Sequence, residues 1–323
     1  MSKRMLAAAA ALAIAVSPAA AQEWRGWNIH VPDYPNSHGL EKWAELVGQR
    51  TNGRIRMRMF HSAQLGQQDE AIQQLRLGAI DVANFNITPL NNLVPETQVL
   101  TLPFIFRDVP HSHRVVDGAV GEAIAREIEA KLNMVVVSWF DAGARSVYTR
   151  NRAIRTPEDM RGLKIRVQTS DLFIDLMRAL GANPVPLPFG ELYTALQTGV
   201  VDGAENNWPS FESQRHYEHA RFYSTTEHSN VPEIVVVNKQ RWDRLSPADR
   251  EIVRTAAREA SALQRRLWAE REKQSRERVI AAGVTVTDIQ DRAPFARLME
   301  PIYAKYAGTP NLKALVERIR ATQ

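Results

Sequence analysis

The stretch "GLKIRVQTS", residues 162–170, has the alternating pattern of a β-strand and carries an arginine inside it. Its apolar residues fall on one face, and Arg166 falls on the other face with Lys164 and Gln168. A helical segment and a second strand-like run follow, which is typical of a parallel sheet covered by helices. A guanidinium inside such a sheet needs a partner. We expect a ligand to be that partner; the alternative is an edge-strand arginine paired with a nearby carboxylate.

Strand-like and helical segments alternate along the rest of the chain. The run "WNIHV" precedes a helix predicted from His38 to Arg50, and "RIRMRMF" precedes a helix predicted from Asp69 to Leu77 and the strand "IDVANFN". A second series of the same kind begins at "MVVVSWF" and continues through "KIRVQ" to "VVDGAEN". This order predicts an α/β fold.

Two stretches resemble each other within the chain. "LRLGAIDVANFN", residues 75–86, and "LQTGVVDGAENN", residues 196–207, both read as a helix that ends at a glycine and continues into a buried strand with a polar end. Since ligands of open α/β sheets bind beyond the carboxyl ends of strands, we expect two similar lobes that face one cleft. A chance match of a short motif is the alternative.

A long helix is predicted from Ser246, its N-cap, to Gly283, its stop signal. Its length would be roughly 55 Å at 1.5 Å per residue, more than a single lobe needs. Its second half is polar and has no heptad seam, which argues against a coiled coil. We therefore expect this helix to lie along both lobes, and the chain to cross between the lobes several times.

Composition limits the classes of function. Residues 1–21, "MSKRMLAAAAALAIAVSPAAA", have the basic start, apolar run and small-residue end of a cleaved export signal, and no later segment is apolar enough for a membrane helix. The formal net charge of +5 is small and its basic residues are dispersed, which predicts no nucleic-acid partner. The chain has no cysteine, which excludes disulfides, thiolate metal sites and a cysteine nucleophile.

Motifs for catalysis or metal binding are weak. No nucleophile elbow, phosphate loop, dinucleotide fingerprint or zinc-protease motif occurs. In "ESQRHYEHA", Glu212, His216 and His219 would share one helical face at a spacing that suits a metal, but a solvated helix face is the favoured interpretation. His111 and His113 are expected in a loop. We predict no catalytic residue, metal or cofactor; a secreted hydrolase or lyase of sugar acids is the alternative.

A carboxylate site is the more coherent prediction. Arg145 follows the strand "MVVVSWF" after a glycine turn, while Asn206, Asn207 and Trp208 precede a helix. Together with Arg166 they offer a guanidinium fork, amide donors and a helix N-terminus, which all favour an organic anion.

The motifs resemble a known family. "GLKIRV", "LYTALQTGVVDGAEN", "LGQQDEAIQQLRLGAIDVA" and "LPFIFRD" are similar to the DctP family, the substrate-binding proteins of tripartite ATP-independent periplasmic (TRAP) transporters. The resemblance implies a periplasmic two-lobed fold that closes on its ligand and delivers it to a small and a large membrane subunit; a sensor that presents its ligand to a receptor is the alternative. It also implies that Arg166 forms the salt bridge to the ligand carboxylate, with Arg145 and Asn206 as supporting contacts.

The lobes are predicted as residues 22–144 plus 232–270 and residues 145–231 plus 271–323. Further cleft residues are expected at strand ends and the following turns: His30, Asp33, Tyr34, Asn36, Gln68, Glu70, Phe85 and Asn86.

The predicted ligand is a sugar acid. Acidic residues such as Glu70 or Asp33 would repel a second carboxylate. Tyr34, Phe85 and Trp208 could stack on a sugar face or pack in the core. "WNIHVPDYPNS" and "EHSNVPEI" also resemble family members that take up hexuronates. We therefore predict glucuronate or galacturonate, with a C4-dicarboxylate, keto acid or aromatic acid as the alternative.

Overall fold

The computed structural model describes residues 22–323; the predicted export signal at residues 1–21 lies outside the described residues. The strands are β1 (Gln22–Trp27), β2 (Ile55–Phe60), β3 (Val82–Asn86), β4 (Met134–Phe140), β5 (Ala144–Thr149), β6 (Lys164–Val167), β7 (Asn183–Pro186), β8 (Gly203–Asn206), β9 (Phe222–Asn230), β10 (Glu233–Asn238) and β11 (Thr285–Thr287). The helices are α1 (Pro35–Arg50), α2 (Gln68–Leu77), α3 (Val109–Asp117), α4 (Ala119–Leu132), α5 (Asp171–Ala179), α6 (Leu192–Thr198), α7 (Trp208–Ser213), α8 (Lys239–Asp243), α9 (Pro247–Ala281), α10 (Ala293–Arg297), α11 (Glu300–Tyr306) and α12 (Pro310–Ala321).

The strands form two mixed sheets, one in each lobe. The first sheet has the order β2-β1-β3-β10-β4, and β10 runs antiparallel to both of its neighbours. The second has the order β11-β9-β5-β8-β6-β7, in which β6 pairs in parallel with β7 and β8. The α/β prediction is confirmed. The strand that carries Arg166 is an interior strand, so the edge-strand alternative is wrong.

The chain crosses between the sheets within a few residues. It passes from β4 to β5 through residues 141–143 and returns from β9 to β10 through residues 231–232. Gly143 has a φ of 61°, and a Cβ at this position would lie 2.8 Å from Trp268 Nε1. The first crossing therefore needs a glycine, because any other side chain would collide with the long helix.

The long helix α9 contacts both lobes. Ser246 caps it, with its hydroxyl accepting a hydrogen bond from the Asp249 N–H at 3.1 Å, and Pro247 is the first helical residue. The helix packs against α1 and β4 of the first lobe and against α7 of the second. Among residues 22–323, no helix is both long and apolar enough to cross a membrane.

The C-terminal helices also contact both lobes. Helix α11 packs against α5, while α12 packs against α4 and the short helical turn at Pro95–Leu100. The sequence predicts residues 271–323 in the second lobe, whereas α12 packs against elements of the first lobe, so the C-terminal helices form a layer shared by both lobes. The exact lobe boundaries stay a prediction.

Two sequence interpretations of histidines are wrong. The segment from Glu212 to His219 is not one helix, because α7 ends at Ser213 and Arg215 adopts a left-handed φ of 57°. His216 is buried against the Tyr148 hydroxyl rather than solvated. His111 and His113 lie in helix α3 rather than a loop, since the Asp108 side chain caps this helix.

Candidate functional site

A pocket lies between the two lobes, and we call it the interlobe pocket. It has two adjoining compartments that share Ile29, Gln68, Gln168 and Phe189. Arg166 lines one compartment, and Arg145 lines the other. The first lobe contributes residues 29–30, 67–69, 86, 89 and 233, and the second contributes residues 145, 166, 168–169, 187–189, 206–207 and 210.

Arg166 is a buried cation with an unused donor. It stands in the middle of β6 and is only 2% exposed. Its Nε and Nη2 donate to the carbonyl oxygen of Leu187 at 2.9 and 2.7 Å, but Nη1 has no hydrogen-bond partner among residues 22–323. Arg166 also forms no ion pair within the described chain. Burial lowers the pKa of this guanidinium to about 10, so it remains charged at neutral pH.

Arg145, in contrast, has an internal counter-ion. Its Nε and Nη2 donate to Glu205 Oε2 and Oε1 at 2.6 and 2.8 Å, and its Nη1 donates to Asn206 Oδ1 at 2.9 Å. Burial disfavours the charge of Arg145, but the attraction of Glu205 outweighs it and raises the pKa of the guanidinium. Glu205 therefore neutralises one of the two arginines of the pocket and leaves the charge of Arg166 for another partner.

The first lobe supplies a wall of hydrogen-bonding groups. Glu233, at the start of β10, has Oε1 3.2 Å from His30 Nε2, and its Oε2 accepts a hydrogen bond from Asn36 Nδ2 at 2.7 Å. Gln68 Nε2 donates to the Asn86 carbonyl oxygen at 2.8 Å. These side chains are buried, so their orientation is set before any ligand enters.

Aromatic packing orients His30. Its ring stacks on Tyr34 at a centroid distance of 4.0 Å and an interplanar angle of 4°. The Tyr34 hydroxyl lies 2.9 Å from Ser210 Oγ in the second lobe. Tyr34 thus contacts both walls of the pocket, and its ring packs against the face of the His30 imidazole.

Comparison with known proteins identifies the family. The family model for DctP, described as bacterial extracellular solute-binding protein, family 7, matches residues 28–309. The chain belongs to the DctP family. It is a TRAP-type solute-binding protein, and its two sheets form the two-lobed fold of this family.

Solved structures of DctP relatives are similar over nearly the whole chain. A TRAP periplasmic solute-binding protein from Roseobacter denitrificans with bound β-D-glucuronate is 48% identical, with a TM-score of 0.91; the match covers 94% of this chain and 100% of that chain. One from a Bradyrhizobium species in complex with D-galacturonate is 44% identical, also with a TM-score of 0.91, and covers 93% and 100%. A solute-binding protein of Chromohalobacter salexigens is 44% identical over 97% of this chain and 93% of its own length.

Seven of the residues predicted from sequence line the interlobe pocket. They are His30, Gln68, Asn86, Arg145, Arg166, Asn206 and Asn207. Four of them lie at strand ends or in the turns that follow, as expected for an α/β fold, whereas Arg145 and Arg166 lie within β5 and β6 and Gln68 begins α2.

The two exposed acidic candidates lie outside the pocket lining. Asp33 is exposed and pairs with Arg271 Nη1 at 3.1 Å and with His38 at 3.3 Å. Glu70 is the third residue of α2, and its carboxylate turns back to accept the Gln67 N–H at 3.0 Å as part of a capping box. Neither carboxylate is placed to repel a ligand, which corrects the prediction made from sequence.

The aromatic candidates and Asn36 also do not line the pocket. Phe85 packs in the core against Trp27, because its neighbour on the strand takes the pocket side. Trp208 stacks on Tyr223 with ring centroids 3.5 Å apart. Tyr34 and Asn36 do not line the pocket but contact side chains that do: Tyr34 stacks on His30, and Asn36 donates a hydrogen bond to Glu233. Ring stacking on a sugar by these three aromatic residues is therefore not what the geometry offers.

Sequence reasoning missed several lining residues. Glu233 opens the apolar run "EIVVVN", so it carried the same signal as Arg166, a charge on a buried strand. Gln168 lies on the Arg166 face, and its Oε1 is buried with no hydrogen-bond partner among the described residues. Phe189 lies 5.8 Å from the Arg166 guanidinium carbon, a distance that suits a cation–π contact. Ser210 was missed because nothing local marks it.

Acid should destabilise the protein through the Arg145–Glu205 pair. Burial would raise the pKa of Glu205, but Arg145 and the hydrogen bond to His228 outweigh burial and lower it to about 2, below its ordinary value of 4.5. The stability that this ionised carboxylate contributes is complete above pH 4.5 and is lost as the pH falls towards 2, about 3 kcal/mol in all.

Urea unfolding between pH 5 and pH 2.5 measures this effect. We expect the free energy of unfolding to fall more steeply in the wild type than in Glu205→Gln, which has no proton to gain at this site. Equal slopes in the two proteins would contradict the assignment of the pair as ionised.

Proposed function

We propose that this protein captures a hexuronate, D-glucuronate or D-galacturonate, in the periplasm and delivers it to the small and large membrane subunits of a TRAP transporter. Residues 1–21 serve as the export signal in this proposal. The observation that carries it is Arg166, a buried cation with an unused N–H in the interlobe pocket. The ligands printed for the Roseobacter and Bradyrhizobium relatives support the choice of a sugar acid.

The ligand carboxylate would neutralise the guanidinium charge of Arg166. Its oxygens would accept from Arg166 Nη1, while Asn206 and Arg145 stand beside it as supporting contacts, the latter held by Glu205. A carboxylate–guanidinium pair is a charge-assisted contact, and because Arg166 is already buried, the cost of removing its water is met on folding rather than on binding.

The sugar hydroxyls would meet the wall of the first lobe. His30, Gln68, Asn86 and Glu233 line the same compartment as Arg145, Asn207 and Ser210. This set is rich in neutral hydrogen-bonding groups, which suits a polyol and penalises an apolar ring such as benzoate, since buried polar groups would then stay unpaired.

Ligand binding would favour closure of the two lobes, because the ligand contacts both lobes only in the closed state. The two walls belong to different lobes, so a ligand touches both only when the lobes have closed around it. That difference in contact shifts the population from open to closed. The protein acts by binding and release; we assign no bond-making step, metal or cofactor to it.

A thermal-shift screen tests the proposal. We expect D-glucuronate or D-galacturonate at about 100 times its Kd to add about 2.7 kcal/mol of stability and raise the Tm by several degrees. Succinate, pyruvate and benzoate at the same concentration serve as the other ligand classes. A Tm that rises with succinate or benzoate and stays unmoved with both hexuronates would overturn the sugar-acid assignment.

A further inference from the structure

Glu233 is a buried acidic group on the wall of a pocket built for an anion. It is only 3% exposed, and it lines the same compartment as Arg145 and Asn206 of the opposite lobe. Its partners within the described chain, His30 and Asn36, are both on the first lobe. No arginine or lysine pairs with it among residues 22–323. A buried carboxylate whose partners are an imidazole and an amide, with no arginine or lysine, is costly, so its presence in a binding pocket needs a reason.

A chain of hydrogen bonds makes Glu233 an acceptor. The Asp141 backbone N–H donates to Gln264 Oε1 at 2.9 Å, which leaves Gln264 Nε2 to donate to Asn36 Oδ1 at 2.7 Å. Asn36 Nδ2 must then donate to Glu233 Oε2, also at 2.7 Å. Because the first donor is a backbone N–H and cannot be reversed, neither amide can turn around. Oε2 of Glu233 is thus held as an acceptor.

The second oxygen of Glu233 contacts the imidazole of His30. His30 Nε2 lies 3.2 Å from Glu233 Oε1, and the stacking on Tyr34 fixes the plane of the imidazole. A carboxylate has about four lone-pair sites, and these two contacts use one on each oxygen. The remaining lone pairs can accept a hydrogen bond from a ligand hydroxyl, but they would repel a ligand carboxylate.

We propose that Glu233 restricts the interlobe pocket to acids with a single carboxylate, an inference that rests on the proposed function. The carboxylate end of the ligand pairs with Arg166, and a hydroxyl at the other end donates to Glu233. An aldarate, the sugar acid with a carboxylate at both ends, would place its second anionic group against Glu233 in a pocket that excludes water. Like charges in such surroundings repel strongly, and this contact rejects the diacid.

Glu233→Gln tests this role, because glutamine keeps the shape and one acceptor oxygen while removing the charge. The ligands are D-galacturonate and galactarate, and the measurement is titration calorimetry at pH 7.5. We expect the variant to bind D-galacturonate about tenfold more weakly and galactarate at least about tenfold more tightly, so that the ratio of the two affinities changes about 100-fold. The open-chain shape of galactarate affects both proteins equally and cancels in this comparison.

Glu317→Gln is the matched control, since Glu317 is an exposed carboxylate on α12, and it should leave both affinities unchanged. A purely structural role of Glu233 would lower both affinities in proportion and overturn the inference. Wild-type protein that binds galactarate within tenfold of D-galacturonate overturns it without any variant. Failure of the wild type to bind either hexuronate is a different result, because it removes the proposed function itself.

Discussion

Arg166→Met should weaken solute binding strongly and leave the unliganded protein at least as stable as the wild type. Binding falls because the ligand carboxylate would enter a buried pocket without its counter-ion, and we expect a loss of at least about 100-fold, or about 3 kcal/mol. Stability does not fall because the buried guanidinium has no carboxylate partner of its own to lose. Methionine has a similar length, and it fills the space without a charge to desolvate.

The measurement combines urea unfolding without ligand and calorimetric titration with the hexuronate that shifts the wild-type Tm. Arg178→Met is the control, since Arg178 is exposed and pairs with Asp175 at 3.2 Å, and it should change neither quantity appreciably. Retention of near wild-type affinity by Arg166→Met would show that the carboxylate binds elsewhere. A loss of several kcal/mol of stability would show that Arg166 is a structural residue.

Some parts of this site could be predicted because they break a local rule. Arg166 interrupts an apolar strand, and this violation, taken together with Arg145 and the asparagines after β8, indicated the interlobe pocket. Glu233 breaks the same rule at the start of β10, where a carboxylate precedes an apolar run, so the sequence carries the same signal there. The long helix was predicted within two residues at each end, because a cap, a first-turn proline and a terminal glycine are local signals.

Other parts depend on contacts that are distant in the sequence. The neutralisation of Arg145 requires β5 beside β8 in the register that pairs Val147 with Glu205, and a single sequence does not display this register. Phe85 packs in the core rather than lining the pocket because its side of the sheet faces the core, and the sequence alone does not show which side that is. The break after α7 arises at Arg215, a residue type with no preference for the left-handed region, so nothing local announced it.

The second arginine should show the opposite behaviour. Arg145→Met leaves Glu205 fully buried without its cation, and we expect the free energy of unfolding to fall by about 3–5 kcal/mol. The ionised carboxylate keeps His228 at 3.4 Å as a neighbour, which is too long a contact to replace a bidentate guanidinium. The two arginines of the pocket thus differ in kind: Glu205 neutralises the charge of Arg145 within the fold, whereas Arg166 has no carboxylate partner in the described chain, and we propose that the solute supplies it.

A double-mutant cycle with Glu205→Gln separates the pair from its surroundings. Because the double variant Arg145→Met/Glu205→Gln buries no unpaired charge, it should be more stable in urea unfolding than Arg145→Met alone, with a coupling of about 1–3 kcal/mol. Additive effects, or an Arg145→Met protein as stable as Arg166→Met, would mean that Glu205 does not hold Arg145. Arg145 and Arg166 could then not be distinguished by charge. We regard Arg166 as the cation left for the ligand only because Arg145 already has Glu205 as its partner.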